Sequence, residues 1–207
     1  MSKNFGDDEM KAVLYFHGKG GNIFEAEHYK KFFSEAEVIG VDYKKNTPQE
    51  TKIEFQNFYE EVAKNFEKII VIANSIGAYF VMNALAEKNI ERAFFISPIV
   101  DMEKIIEGMM KICGVNEKNL AEKKIIPTNF GENLSWEYFS YVKKNAIRWQ
   151  IPTEILFGEK DNFTALETMK NFAERNKFSL TVMKNGEHYF HTAEQMNFLD
   201  NWLKKFL

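Results

Sequence analysis

Lys68-Ile69-Ile70-Val71-Ile72-Ala73-Asn74-Ser75-Ile76-Gly77-Ala78-Tyr79 is the stretch on which the fold turns. It opens as an apolar, β-branched run, the pattern of a strand buried on both faces. It then passes through small residues into a helical pattern carried by Tyr79, Phe80, Met82, Leu85 and Ala86. Ser75 stands at the joint, with Ala73 and Gly77 two residues to either side. A serine on a sharp strand-to-helix turn crowds its neighbours, so small flanking residues are expected. The turn exposes the hydroxyl at the carboxyl end of the sheet and aims helix N–H donors at it. A serine at such a joint also reads as a simple N-cap, and the motif alone leaves both readings open.

Upstream, Lys11 to Phe16 reads as a short buried strand running into His17-Gly18-Lys19-Gly20-Gly21-Asn22. The three glycines let backbone N–H groups approach a ligand closely. A phosphate cradle is one reading, but the Gly-Lys-Ser/Thr ending of a P-loop is missing. An oxyanion-binding turn is the other. Ala26, Tyr29 and Phe33 recur at helical spacing, and Val38 to Tyr43 reads as a second strand. Thr47-Pro48-Gln49-Glu50 has the form of a helix start, with a cap, a proline at the first position and a capping-box glutamate.

Downstream, Arg92 to Ile96 is a further strand, ending at Ser97-Pro98. Thr153 to Phe157 and Phe178 to Met183 resume the pattern. The first exits into Gly158-Glu159-Lys160-Asp161, the second into Asn185-Gly186-Glu187-His188. A second capping-box pattern, Thr192 to Gln195, opens a last helix. Strands alternating with helices predict a three-layer α/β/α sandwich around a mainly parallel sheet. The alternation breaks between Asp101 and Trp149. There Met102, Ile105, Ile106, Met109 and Cys113 mark an amphipathic helix stopped by Gly114. Ser135 caps another helix, bearing Trp136, Phe139 and Val142. Residues 101–149 are therefore expected as a helical insertion within one domain spanning 1–207. It reads as ordinary packing on the sheet or as a lid over an apolar pocket.

The 207 residues, 45% hydrophobic with 20 Phe, suffice for one substantial core. Twenty-seven basic and 30 acidic residues are mixed along the chain, and no basic block suggests nucleic acid. The single Cys113 excludes an internal disulfide and a Cys-rich metal site, and fits a reducing compartment. Residues 1–10 lack the apolar core of a secretory signal, and no run is long enough and apolar enough to span a bilayer. A cytoplasmic protein is expected, with its oligomeric state, monomer or homodimer, left open.

In a parallel sheet, ligands bind beyond the carboxyl ends of the strands. Four exits carry reactive groups: His17 to Gly21, Ser75, Asp161 and His188. A neutral serine needs a base within reach, and that base needs a third group to fix its tautomer. Ser75, His188 and Asp161 supply the three roles. His191 is the rival base, and Asp101, after the preceding strand, the rival acid. Glu159 reads as solvent-facing, His17 as a prop for the glycine loop, His28 as a surface residue, and Cys113 as a core thiol.

With these pieces in place, the chain resembles a small member of the α/β-hydrolase superfamily. The motifs are His17-Gly18-Lys19-Gly20-Gly21, Ala73-Asn74-Ser75-Ile76-Gly77, Gly158-Glu159-Lys160-Asp161 and Gly186-Glu187-His188, in the order Ser, Asp, His. Ala73 departs from the usual glycine. The resemblance implies a sheet of about six parallel strands, lacking the first two of larger members. It also implies a serine hydrolase cleaving a small-molecule ester or thioester with an apolar portion, without metal or organic cofactor. Ser75 would be nucleophile, His188 base and Asp161 its orienting acid. The backbone N–H groups of Ile76 and Lys19 would form the oxyanion hole, with Gly20 an equal alternative to Lys19. Each such donor is worth about 3 kcal/mol. A peptidase or acyltransferase would use the same side chains, and a non-catalytic binding or sensor protein on the same fold is the competing class.

Overall fold

The computed structural model describes residues 10–207. The expectation about a signal-like segment concerns residues 1–10, all but the last of which lie outside the described residues. Within them, the apolar runs form six strands: β1 (Lys11–Phe16), β2 (Glu37–Gly40), β3 (Lys68–Asn74), β4 (Arg92–Ile96), β7 (Thr153–Gly158) and β8 (Ser179–Met183). They make one sheet in the order β2-β1-β3-β4-β7-β8, every neighbouring pair parallel. The expected six-stranded parallel architecture is therefore present.

Period-two alternation divides the core between the two faces of the sheet. Ile69, Val71 and Ala73 of β3 belong to one buried cluster, while Ile72 belongs to the other. The first cluster takes in α1 (Pro48–Val62), α2 (Ile76–Leu85) and α6 (Leu166–Asn176) through Phe55, Tyr79 and Met169. The second takes in α7 (Ala193–Leu203) through Leu199, Trp202 and Leu203. The register aligns the strand ends: Asn74 faces Ile96, Ile96 faces Leu156, and Gly158 faces Met183. Residues just past these positions thus share one rim.

The cap signals act largely as read. The Thr47 hydroxyl accepts from the Glu50 N–H with Pro48 in the first turn, although the Glu50 carboxylate takes the Thr47 hydroxyl rather than its backbone. Thr192 and Gln195 form a complete capping box. Three expectations differ in detail. The Ala26–Tyr29–Phe33 segment is a 3₁₀ helix, Ile23–Phe32, held by an Asn22–Glu25 capping box. Its buried residues, Ala26 and Tyr29, are three apart, the spacing that a 3₁₀ turn eclipses on one side. The second strand ends at Gly40, where a Cβ would lie 2.4 Å from the Ile23 carbonyl oxygen.

The third difference lies in the insertion. It contains α3 (Met102–Ile112), α4 (Glu117–Lys123), α5 (Trp136–Lys144) and an antiparallel hairpin of β5 (Ile125–Pro127) and β6 (Asn133–Ser135). The sequence around Pro127 and Gly131 suggests only a loop. Leu120, Leu134, Phe139 and Val142 from this region join the first core cluster. The Tyr141 hydroxyl donates to Asn83 Oδ1 of α2 at 3.0 Å, and Ser135 caps α5 as expected. Among the described residues, no helix is long and apolar enough to cross a membrane.

Candidate active site at the carboxyl rim of the sheet

Ser75 occupies the turn between β3 and α2 with φ 50° and ψ −121°, a left-handed-side backbone that a non-glycine residue adopts only under constraint. Its side chain does not cap α2, so the plain N-cap role is not the one it plays. The backbone is pinned instead. The Ser75 N–H donates to the Ile96 carbonyl at 3.0 Å, and the Ser75 carbonyl accepts from Ile99 at 3.1 Å. The neighbours are small for steric reasons. A Cβ on Gly77 would lie 2.4 Å from the His17 carbonyl oxygen and 2.9 Å from that of Phe16. Ala73 is fully buried between β1 and β4, paired with Phe16 and Phe95.

The freed Ser75 hydroxyl reaches His188, with Oγ 2.7 Å from Nε2. On the other side of the ring, Nδ1 lies 2.6 Å from Asp161 Oδ2. An ionised carboxylate only accepts, so Nδ1 carries the proton and donates to Asp161. Nε2 is then free to accept from the serine hydroxyl. The Asp161 side chain is fully buried and that of His188 is 13% exposed. The carboxylate is fixed from behind, because Oδ1 accepts from the N–H groups of Phe163 at 2.8 Å and Thr164 at 2.9 Å. The Phe163 ring lies 4.6 Å from the His188 ring.

The loops bearing the acid and the base are stitched together. Lys160 N–H donates to the Gly186 carbonyl at 2.8 Å, and Glu159 N–H to the Met183 carbonyl at 3.0 Å. Asn185 N–H donates to Glu159 Oε2 at 2.9 Å. Gly158 meets the second loop so closely that a Cβ there would lie 2.3 Å from the Glu187 carbonyl oxygen. Glu159 is exposed as expected, yet it braces the turn before His188.

The glycine loop approaches Ser75 from β1. A Cβ on Gly18 would fall 3.2 Å from Ser75 Cβ. A turn closed by Gly21 N–H to the Gly18 carbonyl at 3.1 Å sets Lys19 and Gly20 at its centre, with Gly20 at φ 77°. Ile76, the first residue of α2, has an N–H that the helix itself cannot use. The Lys19 ammonium is paired with Glu132 of the insertion. His17 stacks on Tyr43 at 4.3 Å, its Nδ1 donating to the Gly18 carbonyl, while the Tyr43 hydroxyl donates to the His17 carbonyl. Behind the elbow, Asn74 Nδ2 donates to the Tyr15 hydroxyl at 2.7 Å, and Tyr15 donates to Glu25. Burial, with the neighbouring Tyr29 and Glu25, pushes the Tyr15 hydroxyl far above the normal tyrosine range, keeping it protonated as a donor.

The rivals stand elsewhere. His191 is exposed, stacked on Tyr189, with Nδ1 bonded to the Tyr189 carbonyl. Asp101 caps α3 and pairs with Lys104 at 3.1 Å. His28 is not a free surface residue. Its Nε2 meets Asp200 of α7 at 2.7 Å, a pairing across 172 positions to which periodicity is blind. Among the described residues, no group of three or more His, Cys, Asp or Glu side chains is placed to hold a metal ion. The sequence reading missed Phe163, the Asn74–Tyr15–Glu25 chain and the Lys19–Glu132 pair. Of these residues only Glu25 left a mark in the sequence, through the Asn22-x-x-Glu25 capping pattern.

Residues 31–123 match the model of a family described as alpha/beta hydrolase of unknown function (DUF900). Est1E from Butyrivibrio proteoclasticus superposes with a TM-score of 0.76 at 18% identity, over 99% of this chain and 89% of that one. Its complex with ferulic acid gives 0.77 at 17% identity, over 100% and 91%. Alpha/beta hydrolase domain-containing protein 10 from mouse gives 0.72 at 14% identity, over 95% and 90%. The Pyrococcus furiosus esterase Pf2001 gives 0.54 at 21% identity, over 95% and 83%. No curated protein matches the sequence significantly. The chain has the α/β-hydrolase fold, and the resemblance to that superfamily carried by its motifs is borne out.

Proposed function

We propose that the protein is a serine hydrolase that cleaves a carboxylic ester or thioester through an acyl-enzyme. The observation that supports this most directly is the Ser75–His188–Asp161 chain, at 2.7 Å and 2.6 Å. Ser75 Oγ attacks the carbonyl carbon while its proton passes to His188 Nε2. Asp161 holds the ring in the required tautomer and balances the imidazolium charge. The negative oxygen that develops is held by the N–H groups of Ile76 and Lys19. The carbon–oxygen or carbon–sulfur bond then breaks, and His188 returns the proton to the leaving group. Water repeats the sequence, releasing the acid and restoring Ser75.

Residues 101–149 form a cap within a single domain in this reading, covering an apolar portion of the substrate. Est1E, on which the chain superposes, binds ferulic acid, a ligand with an aromatic ring, which supports a substrate with an apolar or aromatic portion. A cytoplasmic location belongs to the same proposal and rests on the lone Cys113. A fluorophosphonate probe tests the activity. Labelling of wild type that disappears in Ser75→Ala is expected. A folded wild type that takes no label, and hydrolyses neither esters nor thioesters, would leave a binding or sensor protein instead.

A further inference from the structure

Helix α3 carries one broad apolar stripe. Met102, Ile106 and Met110 point into the core. At its edge Ile105 and Met109, which also pack partly on the core, join Gly108 and Ile112, at spacing i, i+3, i+4 and i+7, in lining a cleft of about 630 Å³. Phe130 and Phe163 form other walls of the cleft, and both are substantially exposed, as is Ile112 at 74%. Its size lies within the range of small-molecule sites, about 300–1,000 Å³.

The cleft borders the rim through residues next to the catalytic ones. Phe163, on its wall, lies against the His188 ring, and Lys19, also on its wall, comes directly after the glycine that abuts Ser75. The charges at its mouth are paired among themselves, Lys19 with Glu132 and Lys104 with Asp101. That leaves no unmatched charge among these four groups to meet a charged ligand. Neither Ser75 nor any residue from 185 to 191 lines it, so the reacting carbonyl and the atom that takes the His188 proton lie beyond its end, and only a tail of the substrate can occupy it. Gly108 interrupts the α3 stripe within the helix, where glycine weakens the helix relative to alanine. A Cβ at this position would meet nothing within 4 Å. The gap is therefore space on the cleft side, not room required by the fold.

We propose that this cleft receives the uncharged, apolar acyl chain of the substrate, and that Gly108 sets the bulk it accepts. The proposal rests on Ser75 being the acylated residue. Its test compares p-nitrophenyl acetate with p-nitrophenyl octanoate on wild type, Gly108→Leu and Gly108→Trp, with thermal melts confirming that each variant is folded. The octanoate-to-acetate ratio of kcat/KM is expected to fall at least tenfold in Gly108→Trp and about threefold in Gly108→Leu. Gly108→Leu carries the test alone if the tryptophan variant does not fold. A folded variant, labelled by a small fluorophosphonate as wild type is, with an unchanged ratio overturns the proposal. A series with the acyl group fixed as acetyl and the alcohol varied gives the other decisive outcome. If Gly108→Trp alters that series instead, the acyl assignment is wrong. A wild type that takes no fluorophosphonate would overturn the hydrolase reading itself.

Discussion

Gly77 sits so close to His17 that the side-chain carbon it lacks would fall 2.4 Å from the His17 carbonyl oxygen. The obstacle is backbone, which cannot swing aside as a side chain would. Gly77→Ala is expected to destabilise the fold by about 1–3 kcal/mol and to lower turnover, because the glycine loop must retreat from Ser75. Urea denaturation with ester kinetics checks both. Gly108→Ala is the opposite case, expected to gain about 1 kcal/mol from helix propensity. Equal effects at the two positions would remove the steric account of the elbow.

The backbone of Ser75 stores strain of about 1–3 kcal/mol, from φ 50° and ψ −121°. Ser75→Gly and Ser75→Ala both delete the hydroxyl, but only glycine relaxes the torsion. Ser75→Gly should exceed Ser75→Ala in unfolding free energy by about 1 kcal/mol, after the larger entropy glycine loses on folding. Both should be inactive. Equal stabilities would mean that the elbow is not strained.

His188→Ala is expected to lower kcat on a p-nitrophenyl ester by about a thousandfold or more, the scale of a lost general base. His191→Ala should change it less than twofold, since that ring bonds its own loop. Asp161→Asn should cost nearly as much as His188→Ala, because an amide can present a donor to Nδ1 and impose the other tautomer. The reverse ranking of the two histidines would transfer the base to His191.

Asp200 ties α7 to the 3₁₀ segment through Lys31 and His28. Burial alone would raise its carboxyl, but the hydrogen bonds from Lys31 and His28 outweigh it and hold the group below the usual carboxylate range. The lowered folded-state pKa makes this a contribution present above the unfolded value, about 3.9, and lost as pH falls through the folded value. Asp200→Asn should cost about 1 kcal/mol at pH 7 and progressively less below pH 4. Denaturant titrations at pH 7 and pH 3 provide the comparison. A deficit that persisted undiminished at the lower pH would point to packing instead.

Those parts of the fold governed by local chemistry were readable from the sequence. The Lys68–Asn74 run could satisfy its apolar side chains only inside a sheet, and Gly77 fitted the need for a small residue beside a crowded turn, although not that the His17 backbone is what crowds it. The residues at the four strand exits were likewise visible, since a parallel sheet brings the carboxyl ends of all its strands to one edge. The β5–β6 hairpin was not, because each strand has three residues and Ile125 is largely exposed, leaving no alternation to detect. Nor could spacing distinguish the 3₁₀ segment from an α-helix. The His28–Asp200 and Lys19–Glu132 pairs join distant positions and have no local signature.

The stitched turns after β7 and β8 have a dynamic consequence. Asp161 and His188 ride on loops that share three hydrogen bonds and a glycine contact, whereas Ser75 belongs to the β3–α2 joint. The carboxylate and imidazole therefore travel as one body. Thermal breathing of this rim would part the hydroxyl from the ring before it parted the ring from its anchor, so the weakest hinge lies between the groups that exchange the proton.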